Sequence, residues 1–153
     1  MAAVLARLDM LPPERAPLWA AHWLVAGYDG EHVVHLAGLP GDDSREVRDI
    51  LPDALRDCGV TLPDSDVAAA TVVFMHLARM HLDGLAGAVW VVQKVDEVVM
   101  KAGYAEGVRA LPLGCLFDIV ERWGADWERP GNRLAEVVRD ACEEQIRNGS
   151  VAT

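Results

Sequence analysis

Across residues 67–82 the chain carries a single formal charge, Arg79, within a dense apolar run. Val67, Ala70, Phe74, Leu77, Ala78 and Leu82 recur at helical spacing, and Val72, Val73, Met75 and Met80 fill the positions between them. A helix that is apolar nearly all round must be buried by neighbours on several sides. The run is short for a bilayer span, which needs about 20 apolar residues, and His76 and Arg79 interrupt it. Residues 63–84 are therefore read as the central helix of a soluble helical domain. Asp64 and Asp66 sit at the end where the helix dipole favours anions.

The partner expected for this helix is residues 85–102. Ala88, Val91, Val92, Val95, Val98, Val99 and Ala102 form one apolar stripe, with Gln93, Asp96, Glu97 and Lys101 away from it. The valines and Trp90 also suit a strand, but the period is helical and strict alternation is absent. Gly84 between the two segments predicts a tight turn and antiparallel packing.

The rest of the chain reads as shorter helices. Residues 2–10 form the first, broken by Pro12 and Pro13. Pro17 suits the first turn of the next, which runs to about Ala26 with Trp19 and Trp23 on one face. A turn at 27–30 leads to a short helix over 31–37. Asp43, followed three residues on by Glu46, has the form of a capping box. Behind it Val47, Ile50, Leu51, Ala54, Leu55 and Cys58 keep helical period up to a stop at Gly59, and Pro52 predicts a kink or two abutting helices. Residues 111–123 are a further apolar run. A loop over 124–131 precedes a last helix capped by Asn132, with Leu134, Val137, Val138, Ala141 and Cys142 inward and residues 149–153 frayed. At 153 residues, one all-α domain is the natural expectation: a compact helical bundle around the central antiparallel pair.

The formal charge of −10 narrows the partners. It opposes nucleic acid, whose phosphates need clustered Lys and Arg, and it opposes anionic membranes. It suits a protein partner with a basic surface. The three cysteines are isolated and odd in number, which fits reduced thiols in a cytoplasmic protein. No basic, apolar and small-residue leader opens the chain. Neither a nucleophile elbow, nor a phosphate-binding glycine loop, nor a dinucleotide fingerprint is present, so no cofactor is expected.

Residues 18–30 (LWAAHWLVAGYDG), followed by Leu36-Ala37-Gly38-Leu39 and the run 47–55, carry a resemblance, with Gln93-Lys94-Val95 and Leu111-Pro112-Leu113-Gly114 in keeping with it. The chain resembles a group of small acidic helical proteins of actinobacterial type that have no known activity. The resemblance spans most of the chain and implies no catalytic residue.

Two constellations are candidate sites. The first is an acidic stripe, Glu46, Asp49, Asp53 and Asp57, at helical spacing behind Asp42 and Asp43. Like charges at such spacing cost a few tenths of a kcal/mol per pair, roughly. A chain that accepts this cost gains a field for a basic partner. The competing reading is a solvated face neutralised by Arg45, Arg48 and Arg56. The second constellation is His22, His32 and His35 with Asp29 and Glu31, where His32 and His35 lie three apart and suit a shared metal ion. His76 and His81, five apart, do not face a common ligand. Residues 31–55 also have the outline of a helix-turn-helix, but its recognition helix would present Asp49, Asp53 and Asp57 to phosphates. The tryptophans, Trp123 and Trp127 among them, suit either core or binding positions.

The function expected from these features is noncatalytic: a cytoplasmic protein-binding or regulatory module with an acidic docking face, of the immunity-protein or antitoxin kind. The alternatives are a helical metal-dependent hydrolase built on the histidines, and a structural homo-oligomer, a homodimer for instance, with a self-complementary Trp-rich face.

Overall fold

The computed structural model describes residues 1–123 and 133–151. The loop expected at 124–131, Trp127 and the Asn132 cap lie outside the described residues, as do the last two residues. The fold class is all-α, and no strand occurs among the described residues. The chain folds as two compact units, Met1–Asp64 and Ser65–Thr153.

The first unit contains α1 (Ala2–Arg7), a 3-10 turn (Pro13–Arg15), α2 (Ala16–Val25), α3 (Glu31–Gly38) and α4 (Ser44–Asp57). Pro17 lies in the first turn of α2 as expected. Helix α3 packs against both α2 and α4. Its Val33 and Leu36 are fully buried with Val47, Leu51, Ala54 and Leu55 of α4 and Ala16 and Ala20 of α2. Helix α4 is held at both ends. Asp43 Oδ1 accepts from the Glu46 N–H at 3.2 Å. The reciprocal half of a capping box is missing, because the Asp43 N–H donates to the Pro40 carbonyl and the Glu46 carboxylate turns to α3. At the other end Gly59, at φ +73°, donates to Arg56 and Val60 donates to Leu55. These two bonds satisfy carbonyls that the last helical turn leaves open. The same pair of bonds closes α2 before Tyr28, and in α1 it is Asp9 that takes the left-handed position. Between these caps α4 runs through Pro52 as one helix rather than two. The donor lost at Pro52 is outweighed by a continuous buried face of Val47, Leu51, Ala54 and Leu55.

The second unit contains α5 (Asp66–Leu82), α6 (Ala88–Lys101), α7 (Glu106–Arg109), a 3-10 turn (Gly114–Leu116), α8 (Ile119–Trp123) and α9 (Arg133–Val151). Ser65 caps α5 by accepting from the Ala68 N–H at 3.1 Å. Helix α5 is buried on one side through Ala69, Ala70, Val73, Phe74, Leu77 and Ala78, whereas Val67, Val72, His76 and Arg79 are exposed. Its most extensive neighbour is α9, not α6. The small residues on its buried face let α9 approach closely, and a Cβ added at Gly149 would meet the Met75 side chain. Helix α9 accordingly persists through Val151, past the expected fraying point at 149. Helix α6 is helical as expected, and its valine stripe is shared among α5, α9 and the 3-10 turn. The apolar run 111–123 is broken into a turn and a short helix. Gln145, 1% exposed, is the buried polar residue of this core, and its Oε1 accepts from the Leu113 N–H at 3.3 Å.

Candidate functional site

Residues 29–57 carry eight carboxylates and three arginines, which is half of the net charge of −10. Helix α4 positions Glu46, Asp49, Asp53 and Asp57 along one face, and the structure gives each a different environment. Glu46 Oε1 lies 3.0 Å from His35 Nε2 of α3. Asp53 pairs with Arg56 one turn on. Asp49 is exposed and makes no ion pair with any described residue. Asp57 lies at the surface against the start of α3.

The Asp57 contact is a helix cap supplied by a different helix. Gly30 is the N-cap residue of α3 and has no side chain to offer. Asp57 Oδ2 instead accepts from the His32 backbone N–H at 2.8 Å, and His32 Nδ1 lies 3.2 Å from the same oxygen. A Cβ on Gly30 would fall on Asp57 Cβ, Cγ and Oδ2. The missing side chain at Gly30 is thus the space into which the Asp57 carboxylate reaches. The His32 backbone N–H holds the Asp57 carboxyl below its ordinary 3.8, against a smaller upward push from desolvation and with further help from the His32 ring.

His32 and His35 therefore diverge along α4. The first meets Asp57 at its end and the second meets Glu46 near its start, which sets α3 and α4 antiparallel. His22 is exposed on α2. Among the described residues no three His, Cys, Asp or Glu side chains come together as a metal site. Arg48 Nε reaches Asp9 Oδ1 at 3.0 Å and so ties α4 to the end of α1, while Arg45 is exposed. Trp19 and Trp23 lie half-buried against the core of the first unit, and Trp90 is exposed on α6.

The second unit holds a cleft that no sequence pattern marked. It has a volume of about 540 Å³ and is lined by Arg109, Cys115, Phe117, Asp118 and Arg122, among others. The Arg109 guanidinium lies 5.7 Å from the Phe117 ring centroid. Arg122 Nη2 donates to the carbonyls of Cys115 and Phe117 at 3.1 and 3.0 Å. The Asp118 N–H donates to Asp96 Oδ1 at 2.9 Å. Burial raises the Asp96 carboxyl above 3.8, with the Asp118 N–H opposing, the Asp118 charge adding to the rise and the Arg122 charge drawing it back. Cys115 is exposed, Cys58 half-buried and Cys142 buried. Burial pushes the Cys142 thiol up to about 11, with Glu143 contributing.

No family model, curated protein or solved structure matches the chain. No helix among the described residues is long and apolar enough to cross a membrane.

Proposed function

We propose that the chain is a noncatalytic protein-binding module whose docking face is the outer surface of α4, directed at a partner with a basic surface. The observation that carries this reading is the half of the net negative charge that falls in residues 29–57, contributed mainly by Asp29, Glu31, Asp42 and Asp43 before α4, whose own four carboxylates are accompanied by three arginines, with Asp49 exposed and unpaired among the described residues at the middle of the stripe. Exposed pairs such as His35–Glu46 and Arg56–Asp53 contribute little to stability and leave their field open to solvent. Such a field speeds encounter with a basic surface and rejects acidic ones. An immunity-protein or antitoxin role, neutralising a basic enzyme, is the class of partnership this charge suits.

Asp57 differs from the other three, because one oxygen of its carboxylate already accepts from the His32 N–H, so it is left intact in the test. The test is a pull-down from source-cell lysate at low and high salt, with wild type beside Asp49→Lys and the double variant Asp49→Asn/Asp53→Asn. The expected result is a partner held by the wild type, released by salt, and lost with both variants while helical circular dichroism is unchanged. A partner retained equally by Asp49→Lys removes α4 as the docking face.

A further inference from the structure

We propose that the cleft formed by α7, the 3-10 turn at 114–116 and α8 binds a small organic carboxylate, with Arg109 and Arg122 supplying the guanidinium contacts. This site uses none of the residues of α4 and does not rest on the docking reading.

The argument starts from charge. Carboxylates outnumber cationic side chains by 24 to 14 in this chain. Arg48, Arg56, Lys94 and Arg139 each pair with one. Arg109 and Arg122 share a cleft with Glu106 and Asp118, yet neither forms an ion pair with any described residue, and Arg122 meets Asp96 only through a longer-range charge interaction. Arg122 is held by two backbone carbonyls instead. Those bonds occupy Nη2 and leave the donors on Nε and Nη1 unused among the described residues. A guanidinium fixed by neutral carbonyls keeps its full charge and loses little freedom when a ligand arrives. Arg109 is oriented differently, by lying over the Phe117 ring, which itself meets Tyr104 edge-on with centroids 5.7 Å apart.

The cleft is also built. A Cβ at the buried Gly114 would strike the Val108 carbonyl oxygen, so the turn rests directly on α7. The Asp118 N–H is fixed by Asp96, which sets the start of α8. The volume of about 540 Å³ falls within the range of small-molecule sites. Two guanidinia match a carboxylate, which takes paired parallel hydrogen bonds. Glu106 and Asp118 balance the two arginines and leave the lining formally neutral, so the fitting ligand carries one negative group for the guanidinia, an apolar body for the Phe117 side, and at most a cationic or hydroxyl donor for the acidic wall.

The experiment is a proton–nitrogen correlation titration of the full chain with three probes that share a phenyl group: phenylacetate, phenylalanine and phenethylamine. The expected result is saturable shifts of the amides in 106–122 with the two carboxylates, in the millimolar range or tighter, and none with phenethylamine. Arg109→Gln is expected to weaken binding tenfold or more without altering the remaining spectrum. Arg122→Gln is expected to do the same with local changes at Cys115 and Phe117, whose carbonyls it releases. Shifts as large with phenethylamine, no saturable shift with either carboxylate, or unchanged binding in Arg109→Gln would each overturn the assignment.

Discussion

Gly30→Ala tests the cap between helices directly, because two opposed effects give it opposite signs. Gly30 has φ −58° and ψ 150°, a conformation open to any residue. On backbone grounds alone, alanine there would stabilise the fold by about 0.4–1 kcal/mol, through the freedom it removes from the unfolded chain. The structure predicts the reverse. The new Cβ would overlap Asp57 Cβ, Cγ and Oδ2. Rotation about χ1 can move Cγ and Oδ2 aside, but Asp57 Cβ is fixed to the last turn of α4. Relief therefore needs the start of α3 to separate from the end of α4, which withdraws the carboxylate from the His32 N–H. Overpacking of this kind costs about 1–3 kcal/mol. Set against the entropic gain, the net loss is about 1–2 kcal/mol, and each kcal/mol lowers the melting temperature by roughly 2–4 °C in a chain of this size. Gly38, at the other end of α3, has nothing within 4 Å of an added Cβ. Gly38→Ala should stabilise by about 0.5–1 kcal/mol through helix propensity. Denaturation followed at 222 nm reads all of these variants, with Gly30→Ala/Asp57→Gly as the relief of the overlap. Gly30→Ala as stable as wild type, or equally costly when Asp57 is glycine, would refute the cap.

Three further outcomes follow from the second unit and the thiols. Gln145→Leu leaves the buried Leu113 N–H without its acceptor and should cost about 1–3 kcal/mol in chemical denaturation. The Asp96 carboxyl is raised on folding, so the native state holds its proton more tightly than the unfolded chain. Stability from this group falls as pH rises through that raised value, and Asp96→Asn should remove the dependence and stabilise the fold at neutral pH while keeping the Asp118 N–H partner. Under native conditions a disulfide reagent should label Cys115 first and Cys142 only after denaturation, since Cys142 is buried with its thiol at about 11. Early labelling of Cys142 would contradict its burial.

Periodicity makes the helices legible and leaves their neighbours obscure. The valine stripe of α6 and the apolar face of α9 both follow from spacing, but spacing names the buried face and not what covers it. That is why adjacency in the chain points to α6 as the principal partner of α5 when α9 is. The apolar density at 67–82 likewise overstates burial, because Val67 and Val72 are as apolar as their neighbours and still face solvent. Residues 106–123 show an apolar run but no period: two short helices and a turn are each too brief to repeat one, so the sharing of one cleft by Arg109 and Arg122 exists only in space. The acidic stripe is readable because all four carboxylates sit on one helix. Arg56, the partner of Asp53, is readable for the same reason, whereas His32 and His35, which meet Asp57 and Glu46, belong to another helix and are not.

That difference changes what the stripe can do. Four carboxylates on one face repel each other, and the cost is offset unevenly along α4. Asp57 and Glu46 hold the two ends of α3, and Asp53 is matched within its own helix. Of the four, Asp49 makes no ion pair with any described residue, while the half-exposed Glu46 and Asp53 keep part of their field in solvent. The Asp57 bond to a backbone N–H is a short, directional contact, whereas attraction between Asp49 and a distant basic surface acts through solvent and is screened within about 8–10 Å at moderate salt. Rising salt should therefore strip a docked partner well before it loosens α3. Acid, in contrast to salt, reaches the clasp itself. The Asp57 carboxyl lies below 3.8 in the folded chain, so its contribution is complete above that value and disappears as pH drops through its lowered one. Salt at neutral pH therefore separates docking from the clasp, and an acid titration of the stability of the chain without a partner reads the clasp of α3 onto α4 through Asp57.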